Sequence, residues 1–210
     1  MKSSVYVLAL LLLFSALSIS AQNQSPARDF LASHNVTSIA ILPPVGESIP
    51  AEVRNLAAST FIEELKGIRP QVNVITSSET TTHLEKASRL DDYTNFLTLF
   101  LKTGTINHPL LSRIGEASGA SSILLIDIQQ YEAQNGSWLR MRNGHNAVRA
   151  QYTLFSANGE QLWQHLVLYV HTPQGTAKAD KADKVMERVS KRAAKALLSG
   201  EQNSDSRKDN

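Results

Sequence analysis

The sequence predicts a single α/β domain with α+β character, built as three layers around a mixed sheet of about five strands. Residues 121–131, SSILLIDIQQY, have no polar side in their first half, which is typical of a strand buried on both faces. Two segments of alternating apolar residues follow, joined by Asn158-Gly159, which is a hairpin signal. The last three strands are therefore expected to be antiparallel, with amphipathic helices flanking the sheet.

The N-terminus has the outline of a secretory signal peptide, predicted over residues 1–21. A single lysine precedes an apolar run over residues 5–17, which is shorter than the roughly 20 residues of a membrane-spanning helix. We expect cleavage after Ser20 or Ala21 and export to the periplasm, with retention as an anchor as the alternative. The chain has no cysteine, so it is not expected to be a lipoprotein. Residues 22–35 are predicted to be a polar leader with a short helix at 27–33.

The domain is predicted over residues 36–198, and its first elements alternate between strands and helices. Residues 36–44 form an aliphatic strand that ends at Pro43-Pro44, because proline cannot donate to a sheet. Residues 51–66 have helical periodicity, with Gly67 at the position that often ends a helix. A short strand is expected at residues 72–76, followed by a polar connection with a helical turn at 82–88.

Two helices are predicted before the central strand. Asp91 or Asp92 is expected to cap the first, which Gly104 closes. Its predicted apolar face consists of Tyr93, Phe96, Leu97, Phe100 and Leu101. His108-Pro109 opens the second helix, because proline is tolerated in the first turn, and Gly119 ends it.

The strands after the central one alternate strictly. Residues 148, 150, 152 and 154 are apolar on one side of the first of them. In the next strand, predicted at residues 160–172, leucine and valine occupy one side while tryptophan, histidine and tyrosine occupy the other. Residues 176–198 read as a long amphipathic helix, and residues 199–210 are predicted to be disordered because they have little to bury.

Charge and motif content argue against several functions. The net charge of +2 is too small for a broad nucleic-acid surface. Ser118 lies in GEASG, one place late for a nucleophile elbow and at a helix end. His165 and His171 share a strand side but lie about 20 Å apart at the usual rise per residue, too far to share a metal ion. We therefore expect no catalytic residue, no metal and no cofactor, and a protein that is not an enzyme.

Two places remain as candidates for binding. Asp127 interrupts the apolar run, and a buried carboxylate is expensive unless it is paired; a half-exposed or hydrogen-bonded position is the simpler interpretation. The connection after the central strand carries residue types that are enriched at interface centres, namely Trp138, Leu139, Arg140, Met141 and Arg142. Partner binding there and packing of Trp138 back on the domain stay equally open.

The last predicted helix also carries a stripe of basic residues, Lys181, Lys184, Arg188, Lys191 and Lys195. Peripheral contact with an anionic membrane surface is one interpretation. A solvated face is favoured, because Asp180 with Lys184 and Glu187 with Lys191 have the spacing of helical ion pairs.

Residues 39–44, 119–128 and 159–163, taken with the order of elements, give the chain a family resemblance. It is similar to the periplasmic α/β domain of curli-secretion lipoproteins, the amino-terminal domain of the Tol-system propeller protein and the lipoprotein activators of penicillin-binding proteins. The resemblance implies an envelope accessory or assembly protein that binds another envelope protein, or a second copy of itself, without catalysis. A secretion pore is not expected, since no pair of long alternating segments could form membrane-spanning hairpins. The alternative is a periplasmic hydrolase or small-ligand-binding protein acting on envelope material.

Overall fold

A computed structural model of the protein describes residues 29–135, 144–172 and 178–202. Five strands and six helices lie in this part of the chain and belong to one domain. In chain order they are α1 (Phe30–Ser33), β1 (Ser38–Ile41), α2 (Ala51–Ile68), β2 (Asn73–Ile75), α3 (Ser77–Lys86), α4 (Leu90–Thr103), α5 (His108–Ser118), β3 (Ser122–Gln134), β4 (His145–Ser156), β5 (Gln161–His171) and α6 (Ala182–Ser199).

The strands form one mixed sheet in the order β2-β1-β3-β4-β5. β1 runs parallel to both neighbours, with Ile39 opposite Val74 of β2 and Ser122 of β3. β3, β4 and β5 are antiparallel. Helices join the parallel strands because parallel neighbours need a crossover, whereas β4 and β5 need only the turn at Gly159, where φ is +81°. The predicted mixed sheet with three final antiparallel strands is confirmed.

Helices α2 and α6 cover one side of the sheet, which we call the first face. The ring of Phe61 from α2 stacks on Tyr152 of β4 with 5.3 Å between centroids. The hydroxyls of Thr60 and Ser190 lie 2.7 Å apart between the two helices. Burial raises the pKa of Tyr152 to about 12. The first face is a buried apolar core, completed by Phe30 and Leu31 of α1 and by Trp163, Val167 and Tyr169 of β5.

Helices α3, α4 and α5 cover the opposite side, which we call the second face, over its parallel half. Their buried side chains are Leu84, Phe96, Leu111 and Ile114. These pack on Ile123 and Leu125 of β3, and β4 adds Phe155 to the same cluster. No described side chain of β5 belongs to it. The sheet is thus flanked by helices on both sides, but the second face is only partly covered.

The helix α5 approaches the turn between β4 and β5 closely at Gly115. A Cβ atom added to Gly115 would collide with the carbonyl oxygen of Ala157. The backbone of Gly115 is helical, a conformation that any residue can adopt. Glycine is therefore required here for space and not for its conformational freedom. This contact holds α5 against the hairpin.

Helix α3 is longer than the single turn predicted at 82–88. The Thr76 hydroxyl accepts a hydrogen bond from the Glu79 N–H at 3.3 Å, and the Glu79 carboxylate accepts one from the Thr76 N–H at 2.8 Å. This reciprocal capping box satisfies two donors that a helix start leaves free. The T-x-x-E spacing was present in the sequence and sets the start of the helix at Ser77.

Two predicted helix boundaries were wrong. α2 continues through Gly67 to Ile68, so Gly67 does not end it. α6 begins at Ala182 rather than at residue 176, because Lys181 occupies the extended N-cap position. The predicted closures at Gly104 and Gly119 are confirmed, since both residues adopt the left-handed conformation.

Helix α4 differs from its prediction at both ends. Arg89 lies at the N-cap position, so neither acidic residue caps the helix. Asp92 instead accepts two hydrogen bonds from the Arg113 guanidinium of α5, each at 2.9 Å. The bond from Arg113 holds the pKa of Asp92 below its usual value. Near the other end Leu101, predicted to face inward, is 54% exposed because it lies beyond the edge of the second-face cluster.

Beyond α6, the described residues 201 and 202 contact β5. The indole N–H of Trp163 donates to the Glu201 carbonyl at 2.8 Å. The side-chain amide of Gln202 donates to the Leu162 carbonyl at 3.2 Å. Residues 203–210 lie outside the described part, and the predicted domain boundaries and disordered tail stay predictions.

Candidate functional site

The uncovered part of the second face is the most distinctive surface of the described chain. It consists of side chains from β3, β4 and β5 that no described helix buries, and it carries two large apolar residues in solvent. Leu168 is 59% exposed and Val170 is 75% exposed. We call this region the open surface, defined by Asp127, Gln129, Gln151, Gln164, Leu168 and Val170. The two residues are neighbours on one side of β5, and contiguous exposed apolar surface often marks a contact site.

A cavity of about 480 Å³ lies where the open surface meets the end of α4. Its volume is within the range of roughly 300–1,000 Å³ that is usual for ligand pockets. The lining residues are Glu47, Phe100, Leu101, Gly104, Ile106, Asp127, Ile128, Gln129, Gln151 and Gln164. The cavity therefore has an apolar wall from the α4 end and a polar floor from the sheet.

Asp127 is the charged residue of that floor. Its neighbours Ile126 and Ile128 are fully buried, whereas Asp127 itself is partly exposed. Backbone bonds with Val45 hold the segment in place: the Val45 N–H donates to the Ile126 carbonyl, and the Ile128 N–H donates to the Val45 carbonyl, both at 2.9 Å. The half-exposed position agrees with the simpler of the two sequence interpretations.

The carboxylate of Asp127 is incompletely compensated. The Gln129 amide donates one hydrogen bond to it at 3.1 Å. Burial raises the pKa of Asp127, and this amide bond opposes the rise. A neutral amide stabilises a carboxylate less than a cation would. The charged form of Asp127 is thus held in a partly desolvated place beside an empty volume.

A β-bulge in β3 aims the amide of Gln129 into the cavity. Ile128 pairs with Ala150, and Gln130 pairs with Arg149, so Gln129 is an extra residue without a strand partner. Its amide nitrogen also lies 3.4 Å from the Gln151 side-chain oxygen. Bulges often redirect a side chain in this way next to functional sites.

The electrostatic character of the cavity is negative. Asp127 and Glu47 are acidic, and none of the described residues that line the cavity is a lysine, arginine or histidine. The C-terminal end of α4 also borders the cavity at Gly104, and helix C-termini carry partial negative charge on their free carbonyls. An anionic ligand is disfavoured here, and a neutral or cationic one is favoured.

The predicted tip residues Trp138, Leu139, Arg140, Met141 and Arg142 lie outside the described residues, so their role stays a prediction. The described strands end on either side of this segment: β3 ends at Gln134, which pairs with His145, the first residue of β4. His145 and Glu132 form a pair at 3.1 Å near this end.

The catalytic and metal candidates are not brought together. Asp127 faces the second face, whereas His165 is buried on the first face and stacks on Trp163 at 5.8 Å. Ser118 is buried, and its hydroxyl donates to the Gly115 carbonyl at 2.8 Å. His171 lies 3.7 Å from Asp180. Among the described residues, no group of three His, Cys, Asp or Glu side chains could hold a metal ion.

The basic stripe of α6 is exposed along its length, at Lys181, Lys184, Arg188, Lys191 and Lys195. Asp180 precedes the helix and does not pair with Lys184; it accepts a bond from Arg188 at 2.9 Å instead. Arg188 also donates to the Tyr169 hydroxyl. Within residues 29–135, 144–172 and 178–202, no helix has the length and hydropathy needed to cross a membrane.

No protein-family model matches the chain, and no curated protein matches it. Several solved structures are similar. The lipoprotein GNA1162 from Neisseria meningitidis is 15% identical, with 77% of this chain and 97% of that chain covered and a TM-score of 0.44. The hypothetical protein CT253 from Chlamydia trachomatis is 12% identical, with 79% and 96% covered and a TM-score of 0.48. The LpoB C-terminal domain from Salmonella enterica is 12% identical, with 63% and 82% covered and a TM-score of 0.36.

At these identities the similarity concerns the arrangement of strands and helices, and one of the similar chains is a lipoprotein by name. The finer resemblance to curli-secretion, Tol-system and penicillin-binding-protein activator proteins stays a prediction.

Proposed function

We propose that the protein is a non-enzymatic accessory or assembly protein of the cell envelope, exported to the periplasm, which acts by binding another envelope protein through the open surface. The observation that carries this proposal is the exposure of Leu168 and Val170 on a sheet face that helices cover elsewhere. Both lie on β5 with the same side toward solvent, two residues apart. Burial of these side chains by a partner would remove apolar area from water, which favours association.

The test is site-specific photo-cross-linking in the native envelope. A photoreactive phenylalanine analogue at Val170 should give a defined cross-linked product, because this side chain would lie in the interface. The same analogue at Lys195, exposed on α6 at the other side of the sheet, is the matched control and should give none. Equal cross-linking from both positions would contradict the proposal.

The mass of the cross-linked product separates the two partner types that the sequence left open. A product of twice the chain mass indicates self-association, and any other mass indicates a different envelope protein. Val170→Ser should abolish the product when the analogue is placed at Leu168, while thermal unfolding stays unchanged because Val170 is exposed.

Export is tested separately. Intact-mass measurement of protein from a periplasmic extract should give a chain that lacks the first 20 or 21 residues. Full-length chain confined to the membrane fraction would contradict cleavage and favour a retained anchor.

The cavity favours one alternative, the binding of a small ligand. Its volume of about 480 Å³ and its convergent amides resemble a ligand pocket. Under this alternative the cavity would be occupied by a free molecule and Val170 would give no cross-link.

A further inference from the structure

We propose that the cavity beside Asp127 receives a basic side chain, a lysine or an arginine, from the protein that binds the open surface. This inference rests on the proposed function and specifies the chemistry of the partner. The cavity and the exposed apolar residues Leu168 and Val170 belong to the same sheet face, so one partner could contact both.

The cavity is complementary in charge to a cation. Three sources of negative potential meet at the cavity: the Asp127 carboxylate, the Glu47 carboxylate and the C-terminal end of α4 at Gly104. Within the part of the chain that the structure describes, no basic residue lines the cavity. Among the described residues the donor to the Asp127 carboxylate is the neutral Gln129 amide, so a cation would add a charge-assisted bond.

One wall of the cavity suits the alkyl part of a basic side chain. Phe100, Leu101 and Ile106 form an apolar side to the cavity. Lysine and arginine carry an alkyl stem behind the charged group, and such stems pack on apolar surface while the charge reaches a polar partner. Leu101 is exposed by 54%, so its side chain is accessible to a guest. An inorganic cation would leave this wall unused.

The floor of the cavity offers hydrogen-bond acceptors. Gln129, Gln151 and Gln164 present side-chain carbonyl oxygens that can accept from an ammonium or guanidinium group. The Gln129 amide nitrogen donates to Asp127, and the carbonyl oxygen of the same amide can accept from a donor of the guest. Together with the Asp127 and Glu47 carboxylates, these oxygens offer acceptors to a guest that carries several N–H groups.

The direct test uses small probes and NMR spectroscopy. Nα-acetyl-lysine methylamide and Nα-acetyl-arginine methylamide should shift the side-chain amide signals of Gln129, Gln151 and Gln164 in a saturable manner. The neutral isosteres Nα-acetyl-norleucine methylamide and Nα-acetyl-citrulline methylamide should bind more weakly by at least about tenfold, which corresponds to about 1.4 kcal/mol. Equal binding of charged and neutral probes would overturn the inference.

Variants assign the effect to the carboxylate. Asp127→Asn should weaken binding of both cationic probes by about tenfold or more, because an amide keeps the shape but removes the charge. Glu160→Gln makes the same change of charge at an exposed position outside the lining and should leave binding unchanged. Thermal unfolding of each variant checks that the fold is retained. Unaltered binding by Asp127→Asn would overturn the inference.

The source of the cation is decided by the cross-link from Val170. If a partner supplies the basic side chain, Asp127→Asn should reduce that cross-linked product while Glu160→Gln should not. If the probes bind but the product is unaffected, the cavity takes a free organic amine and the inference about the partner fails. If no product forms from Val170 at all, the proposed function fails, whatever the probes do.

Discussion

The two faces of the sheet differ in what covers them, and β5 makes the difference clear. On the first face Trp163, Val167 and Tyr169 are buried beneath α6. On the second face of the same strand Leu168 and Val170 lie in solvent. Both sides of β5 are apolar, so hydrophobicity alone does not say which one belongs to the core. The placement of helices decides it, and the surplus apolar side is what remains for contacts with another molecule.

The largest expected effect tests this contrast directly. Trp163→Ala should lower the free energy of unfolding by about 3–5 kcal/mol, because a fully buried indole leaves a cavity. Leu168→Ala on the other side of the strand should change it by less than about 0.5 kcal/mol. Urea unfolding followed by circular dichroism measures both. A large loss from Leu168→Ala would indicate that the open surface is covered within the protein itself.

A second pair of variants tests how tightly the second face is closed over its parallel half. Gly115→Ala should be destabilising by about 1–3 kcal/mol, since the new methyl group overlaps the Ala157 carbonyl. Gly67→Ala is the matched control: it is helical, nothing lies within 4 Å of the added Cβ, and alanine should stabilise α2 by about 0.5–1 kcal/mol. The two substitutions are expected to shift the melting temperature in opposite directions. A neutral Gly115→Ala would mean that α5 moves away from the hairpin without loss.

The smallest effect concerns Asp127 and has a defined pH dependence. Its pKa is raised above the ordinary 3.8 by burial, so the folded state holds the proton more tightly than the unfolded state does. The charged carboxylate therefore opposes folding at neutral pH, and this penalty disappears as the pH falls below the ordinary pKa. Asp127→Asn should raise the melting temperature at about pH 7 and leave it unchanged at about pH 3.

Asp127 on the open surface is expected to destabilise the fold, whereas the buried residues of the first face stabilise it. A residue that destabilises the fold is more readily explained by binding than by packing. If Asp127→Asn lowers the melting temperature at neutral pH, Asp127 stabilises the fold. Its charge would then be explained by stability, and it would no longer support a binding site at the cavity.

Local signals in the sequence predicted much of the fold. The alternation in β4 correctly separated Tyr152 and Leu154 from Gln151, because a period of two is a direct consequence of strand geometry. Gly104 and Gly119 were recognised as helix ends because each lies beyond the last apolar residue of a periodic segment. Gly67 has the same appearance, but one more residue continues α2 beyond it.

The cavity could not be predicted from the sequence, although Asp127 was noticed. Its walls come from the end of α4 and its floor from three strands, so its existence depends on where α4 stops above the sheet. Leu101 illustrates this dependence: it lies four residues after Leu97, which packs on the second-face cluster, yet it is 54% exposed. Periodicity reports which side of a helix is apolar and not how far the neighbouring layer extends.

The β-bulge at Gln129 affects how this surface can change by mutation. Deletion of one regularly paired residue moves every later residue of the strand to the opposite side of the sheet, because side chains alternate with a period of two. Gln129 has no partner on β4, so its deletion would keep Ile128 opposite Ala150 and Gln130 opposite Arg149, and Tyr131 would still face the first face. A single lost codon would then give a regular strand with one amide fewer in the cavity. One insertion or deletion could therefore add or remove this amide while the core of the first face stayed the same.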